Sequence, residues 1–306
     1  MATEKDRQIA SDADVVAVAF SKDGSVLAGQ CTDNKLRLWD ARSGALKKAV
    51  AWNKDERLAA LPSGTGMVAV SKADGSIEFR DLESGQTLKQ YGAVQRRGRR
   101  VAALRDGSAL AGSTRLEGNS RDEVMRMWDA TGQERFSVPS GTGGTSAMAL
   151  SPDGMTLAAG SYDTDVRVWN ARNGELKSRI QDLLVSMFAM EFTPDGKHLV
   201  AAGVDRTVYF YDTKTWKVAR KFTGQPEMIS SLAISADGKL LATGGFSELT
   251  QENPVKVMLR DAGSGKLVRT LDAPRIVGSL AFSPDSKWLA AAHGRKSVQL
   301  WSVAGQ

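Results

Sequence analysis

The sequence predicts an all-β chain folded as a seven-bladed propeller of four-stranded antiparallel blades, and three observations predict it. First, the residue seen at Trp169 recurs as Trp39, Phe79, Trp128, Tyr211, Leu259 and Trp301, with successive gaps of 40, 49, 41, 42, 48 and 42 residues. Second, a tight turn recurs ahead of it, as Lys22-Asp23-Gly24, Pro152-Asp153-Gly154, Pro194-Asp195-Gly196, Ala236-Asp237-Gly238 and Pro284-Asp285-Ser286. Third, each unit is a series of short apolar runs separated by turn residues. Repetition near this period with four strands per unit is the signature of a propeller blade.

Residues 145–180 show the unit most clearly. Strand a is the apolar run 147–150, and Ser151-Pro152-Asp153-Gly154 turns the chain, with Pro preset and Gly free to take positive φ. Strand b covers 156–161 and ends in the turn 162–165. Strand c, 166–169, is rich in β-branched and aromatic residues, as strands are. Strand d, 176–180, is more polar and outermost. Asp or Asn follows the recurring aromatic in Trp39-Asp40, Trp128-Asp129, Trp169-Asn170 and Tyr211-Asp212, while Arg260-Asp261 places the acid one residue later.

These seven units resemble the WD40 repeat family over the whole chain. The resemblance implies a rigid propeller that binds a protein or peptide, often inside a multisubunit assembly. It departs from the family pattern in one consistent way. WD40 blades often carry Gly-His before the innermost strand, and that His joins a hydrogen-bonded tetrad with an Asp, a Ser or Thr and the Trp. No blade here has it, and the chain holds only His198 and His293. The turn acids persist as Asp33, Asp74, Asp163 and Asp205. Apolar packing is therefore expected to hold the blades, with the tetrad at most partial.

The last unit ends without a fourth strand. Setting Phe20 against Phe282 and counting back eleven residues puts Ile9 on Leu271, which lies in a fourth strand. Arg7–Ala10 is thus expected to be the outer strand of the last blade, removing an open sheet edge. Residues 1–306 then form one domain, with 1–14 as closing strand and lead-in.

Composition narrows the class. The net charge is +6 with one cysteine, Cys31, so no intrachain disulfide forms. The first residues contain no apolar signal-like stretch, and no run approaches the ~18 apolar residues of a membrane helix. A cytoplasmic location is expected.

Candidate contacts lie in loops on one face. Gln95-Arg96-Arg97-Gly98-Arg99-Arg100 sits between blades 2 and 3, and enlarged b–c hairpins occur at 114–123 and 247–254. Insertions in repeat proteins map to loops, often on the binding face. Arginine suits bidentate recognition of carboxylate or phosphate. Arg96, Arg97, Arg99, Arg100, Arg115 and Arg121, with Trp52, Phe246, Glu248, Leu249 and Glu252, are the candidate partner-binding residues. Against this stands a solvated or self-paired arginine loop, with Glu117, Asp122 and Glu123 as neutralising partners, and Trp52 and Phe246 packed under their own loops.

Other motifs read as structural. His198 and Trp288 share one repeat position with Thr156 and Val26, so His198 is no ligand. Cys31 and His293 become neighbours on ring closure but lack a second pair for a tetrahedral metal site. Glu191 stands where other blades carry Ala19, Ala149, Ala233 and Ala281, near the central channel, and needs water or a donor. Residues 140–145 precede a strand and lack Lys, so they form a blade connection and not a phosphate cradle. No catalytic set, metal site or cofactor site emerges. The resulting expectation is a non-enzymatic protein-interaction scaffold or accessory subunit with a protein or peptide partner. Nucleic-acid or anionic-ligand binding through 95–100 and a propeller enzyme are the alternatives.

Overall fold

The computed structural model describes residues 6–53, 56–60, 66–72, 76–91, 100–103, 110–115, 123–129, 131–141, 143–181, 185–247 and 254–304. Strand β1 is Arg7–Ala10. Blade 1 comprises β2 Val15–Phe20, β3 Val26–Cys31, β4 Lys35–Asp40 and β5 Leu46–Ala51. Blade 2 comprises β6 Glu56–Ala60, β7 Met67–Lys72, β8 Ile77–Asp81 and β9 Thr87–Tyr91. Blade 3 comprises β10 Arg100–Ala103, β11 Leu110–Arg115, β12 Glu123–Trp128 and β13 Glu134–Gly141. Blade 4 comprises β14 Thr145–Leu150, β15 Thr156–Ser161, β16 Val166–Asn170 and β17 Leu176–Ile180. Blade 5 comprises β18 Met187–Phe192, β19 His198–Gly203, β20 Val208–Asp212 and β21 Val218–Phe222. Blade 6 comprises β22 Met228–Ile234, β23 Leu240–Phe246, β24 Val255–Asp261 and β25 Leu267–Ala273. Blade 7 comprises β26 Ser279–Phe282, β27 Trp288–Arg295 and β28 Ser297–Ser302. All seven sheets have four antiparallel strands, and β1 is the fourth strand of blade 7.

The closing strand has the expected register, with Arg7 opposite Leu300 and Ile9 opposite Val298. Leu271 likewise lies opposite Val257 in blade 6, so Ile9 and Leu271 are equivalent.

Burial follows position in the blade. The b strands are buried on both faces, as in β15 and β19, because each is sandwiched between neighbouring blades. The outer d strands β5 and β21 are mostly exposed. Each adjacent pair of blades shares a hydrophobic cluster, including the pair formed by blades 7 and 1. The apolar core is therefore a closed ring of interfaces.

The register corrects the repeat alignment at two places. Trp39, Trp169, Tyr211 and Trp301 lie opposite Leu27, Leu157, Leu199 and Leu289. In blades 2 and 6 the residues so placed are Arg80, opposite Val68, and Arg260, opposite Leu241. Phe79 and Leu259 are one residue earlier and face the other side, because side chains alternate along a strand. Phe79 packs with Tyr91 and Trp128 towards blade 3. The positions are set by the Asp that follows, which caps the c–d turn identically in Asp40–Ser43, Asp81–Ser84 and Asp261–Ser264.

The turn acids have partners within their own blades. Asp33 accepts two hydrogen bonds from Arg37, at 2.9 and 2.8 Å. Asp163 does the same with Arg167, at 3.1 and 2.8 Å, and Asp205 accepts from the Tyr209 hydroxyl at 2.7 Å. Burial acts to raise the Asp163 carboxyl, but the bonds from Arg167 and the Asp165 N–H outweigh it and bring it to about 2. An Arg or Tyr four residues downstream is thus the partner of each of these three acids. Asp74 lies outside the described residues.

Candidate interaction face

Antiparallel alternation puts the a–b and c–d turns at one end of every blade and the b–c turns and blade connections at the other. The first end is repetitive. Ser21, Ser151, Thr193, Ser235 and Ser283 each donate to the turn Asp two residues on. At Asp23 the Ser21 hydroxyl, helped by Ser25, holds the carboxyl at about 2. These acids serve the turns. The opposite end, the top, differs from blade to blade.

At the top, the innermost strands carry bulges. The ladder skips Val16, Ser146, Phe188 and Ser230 in blades 1, 4, 5 and 6. A bulge re-aims a side chain and often borders a functional site. In blade 5 the opposing residue is Gly203, where a Cβ would lie 2.1 Å from the Ser186 carbonyl oxygen. Only glycine permits that approach. The Phe188 ring is half-buried. It lies 6.3 Å from the ring of Tyr162, in the b–c turn of blade 4, and 6.4 Å from the ring of Phe246, at the end of β23. Tyr162 is 49% exposed. Three aromatic rings therefore form a row across blades 4, 5 and 6.

Beside this row, β14, β18 and β22 line a cavity of about 180 Å³, with Ala147, Met148, Phe188, Met190, Ser230 and Leu232 among its walls. Glu191 crosses from blade 5 to blade 6, where its carboxylate accepts the Ile234 N–H at 3.1 Å. That backbone donor compensates the acid among alanines.

The sequence candidates fall into three groups. Phe246 belongs to the aromatic row. Trp52 packs onto the cluster between blades 1 and 2, its backbone N–H donates to the Asn34 carbonyl at 3.3 Å, and the Arg80 guanidinium lies 5.7 Å from its ring centre. Trp52 is a lid on that interface. Arg96, Arg97, Arg99, Arg121, Glu248, Leu249 and Glu252 lie outside the described residues. For Arg100 and Arg115 the backbone alone is described; they pair with Ser113 and Glu123. Tyr162 and Phe188 were not among the candidates. The available signal was the contrast of Phe188 with Val16, Ser146 and Ser230 at equivalent positions.

The remaining polar candidates are internal. His198 Nε2 is 3.3 Å from Arg220, whose guanidinium covers Phe210 at 4.1 Å. Trp288, at the same repeat position, is covered by Arg7 at 4.5 Å. These are equivalent contacts in blades 5 and 7. Among the described residues no group of three or more His, Cys, Asp or Glu is placed to hold a metal, and no helix is long and apolar enough to cross a membrane. The connection between blades 3 and 4 wraps the Asp163–Arg167 pair. A Cβ on Gly141 would meet the guanidinium at 2.4 Å, and the Ser140 carbonyl accepts from it at 3.4 Å.

The family model described as "WD domain, G-beta repeat" matches residues 6–40, 134–170, 184–212, 216–248 and 265–302, more than half of the chain. WD repeat-containing protein SL1-17 of Schistosoma mansoni is 28% identical over 176 residues, 53% of this chain and 52% of that protein. The guanine nucleotide-binding protein subunit beta of Saccharomyces cerevisiae is 27% identical over 164 residues, 52% of this chain and 36% of that protein. COMPASS component SWD3 of the same yeast is 25% identical over 128 residues, 40% of this chain and 41% of that protein. The chain thus spans about half the length, or less, of these relatives.

Proposed function

The chain belongs to the WD domain, G-beta repeat (WD40) family, and from that premise we propose that it is a non-enzymatic protein-interaction platform, a scaffold or accessory subunit of a multiprotein complex. Two of the relatives are, by name, a subunit and a component of larger assemblies. The observation that carries the reading is the aromatic row Tyr162–Phe188–Phe246 beside the cavity at the top of blades 4 to 6. Aromatic side chains that present a rigid apolar face at a concavity are the residues on which binding energy concentrates. Phe188 and Phe246 stand on strands that the ring holds fixed and Tyr162 on the short turn after β15, so little ordering cost falls on the platform when a partner docks. By sequence alone, the arginines of 95–100 favour an acidic partner, and the proposed location is cytoplasmic.

The test is capture of partners from native extract by the intact chain, by a Tyr162→Ala/Phe188→Ala variant and by a variant with Arg96, Arg97, Arg99 and Arg100 replaced by alanine. The fold of each is checked by circular dichroism. One dominant, stoichiometric protein should be retained by the intact chain through nuclease treatment. Its affinity for the aromatic variant should fall about 30-fold, as for loss of about 2 kcal/mol at a hot spot. Undiminished binding by a folded aromatic variant overturns the site. Recovery of nucleic acid lost at high salt would point instead to phosphate-driven binding by the arginines.

A further inference from the structure

We propose that His293 is a proton-sensitive latch on ring closure, holding the closing strand β1 in place only while its imidazole is neutral. His293 is completely buried. It lies where β27 leaves its regular ladder, between the pairs Ala292–Val298 and Arg295–Ser297, and Gly294 beside it has φ of 62°. Its Nε2 is 3.4 Å from the Ser297 hydroxyl oxygen. That same oxygen accepts a hydrogen bond from Gln8 Nε2 at 2.7 Å. Gln8 belongs to β1, so a side-chain chain Gln8–Ser297–His293 runs from the closing strand into the core of the seam. With Gln8 donating to it, the serine keeps its own proton for an unprotonated Nε2.

Protonation breaks this arrangement. A proton on Nε2 turns that nitrogen from acceptor to donor and displaces the serine's own proton. It also places a charge on a completely buried ring whose Nδ1–H, present in both forms, has no hydrogen-bond partner among the described residues. The charged groups around it come from several elements. Asp14, before β2, favours the cation, while Arg295, in the β27 hairpin, opposes it. Arg275, from the β25–β26 connection, donates to the Gly294 carbonyl at 3.5 Å. Lys296 contributes its carbonyl to the Ser11 N–H at 2.9 Å. Cys31, on β3, is buried, and the acid near it, Asp33, is committed to Arg37. Burial is the dominant influence and holds the imidazole below its ordinary range against the upward pull of its own backbone, with Arg295 acting in the same direction as burial.

The sign follows from linkage. In the opened seam the imidazole regains a pKa of about 6.5. Closure is therefore at full strength above about 6.5 and weakens as pH falls towards the depressed value of the closed ring. The open population rises by up to about tenfold per pH unit across that window.

Two measurements on the intact chain test it. The protein has two histidines, so its two imidazoles are resolved by NMR titration and assigned with a His198→Gln variant. Hydrogen exchange, corrected for intrinsic rates, is then followed at the β1–β28 amides and at blade 4. The expected result is a His293 titration below 6.5 and a loss of protection at β1 and β28, by up to about tenfold between pH 7.5 and 5.5, with blade 4 unchanged. His293→Leu should abolish that pH dependence. Should His293→Leu fail to fold, Ser297→Ala keeps the titrating group but cuts its link to Gln8, and should weaken β1 protection already at pH 7.5. An imidazole titrating at or above 6.5, or parallel behaviour of β1 and blade 4, overturns the latch.

Discussion

Removal of residues 1–10 is expected to destabilise the whole ring by about 4 kcal/mol, with a fall in melting temperature of roughly 6 °C. Ile9 is 3% exposed and packs into the cluster shared by blades 7 and 1. Its strand pairs with β28 over four residues. Arg7 covers Trp288 at 4.5 Å, and Asp6 accepts the Ser302 N–H at 3.1 Å and binds Arg269. Freed ordering entropy of the deleted strand offsets part of this loss. It does not offset the exposure of Val298 and Leu300 or the unpaired edge of β28, which becomes a site for association with other chains. Ile9→Ala isolates the packing component and should cost about 2 to 3 kcal/mol. Calorimetry and light scattering check both variants. A truncated chain that melts at the wild-type temperature and stays monomeric would show that β1 does not close the ring.

The closing strand was legible because its evidence is additive: repeat count, a missing fourth strand and one apolar residue, Ile9, at the right offset. The fold was legible for the same reason, since each blade restates the pattern. Single positions were less so. Following the aromatic residue led to Phe79 and Leu259, whereas the Asp81–Ser84 and Asp261–Ser264 turns put Arg80 and Arg260 in register with Trp39. Both assignments satisfy an apolar count, and only the turn chemistry separates them. The aromatic row was hidden for another reason. Tyr162, Phe188 and Phe246 lie on three different blades, and their proximity depends on a bulge at Phe188 that leaves no mark in the hydrophobic pattern. The seam chain Gln8–Ser297–His293 joins residues from opposite ends of the sequence and becomes visible only on closure.

Arg80 carries the second large effect. Arg80→Met is expected to cost about 3 to 5 kcal/mol at neutral pH, the range for breaking a buried ion pair from one side. The guanidinium donates to Glu78 at 3.0 and 2.7 Å and to Glu56 at 3.2 Å, with a further close contact to Glu56. The side chains of Glu56 and Glu78 are 10% and 6% exposed. Methionine leaves both carboxylates buried, with Lys72 still serving Glu78. Hydrogen bonding by Arg80 holds the Glu56 carboxyl below its usual value. At Glu78 burial pushes upward, but Lys72 and Arg80 together outweigh it and leave the carboxyl lowered as well. Their stabilising contribution is therefore present above about 4.5 and lost as pH falls below it. In Arg80→Met only the Asn53 N–H still opposes burial at Glu56, so that carboxyl rises and takes up a proton at higher pH than in the wild type. The stability gap between wild type and variant should be widest near pH 7.5 and narrow towards pH 4.5, read by urea denaturation at both values. Adding Glu56→Gln and Glu78→Gln should recover most of the loss at pH 7.5, because it removes the stranded charges. A gap under about 1 kcal/mol, or one independent of pH, would mean that Arg80 acts through its aliphatic stem alone. It would then pack as the tryptophan does in other blades, and methionine would be an adequate replacement.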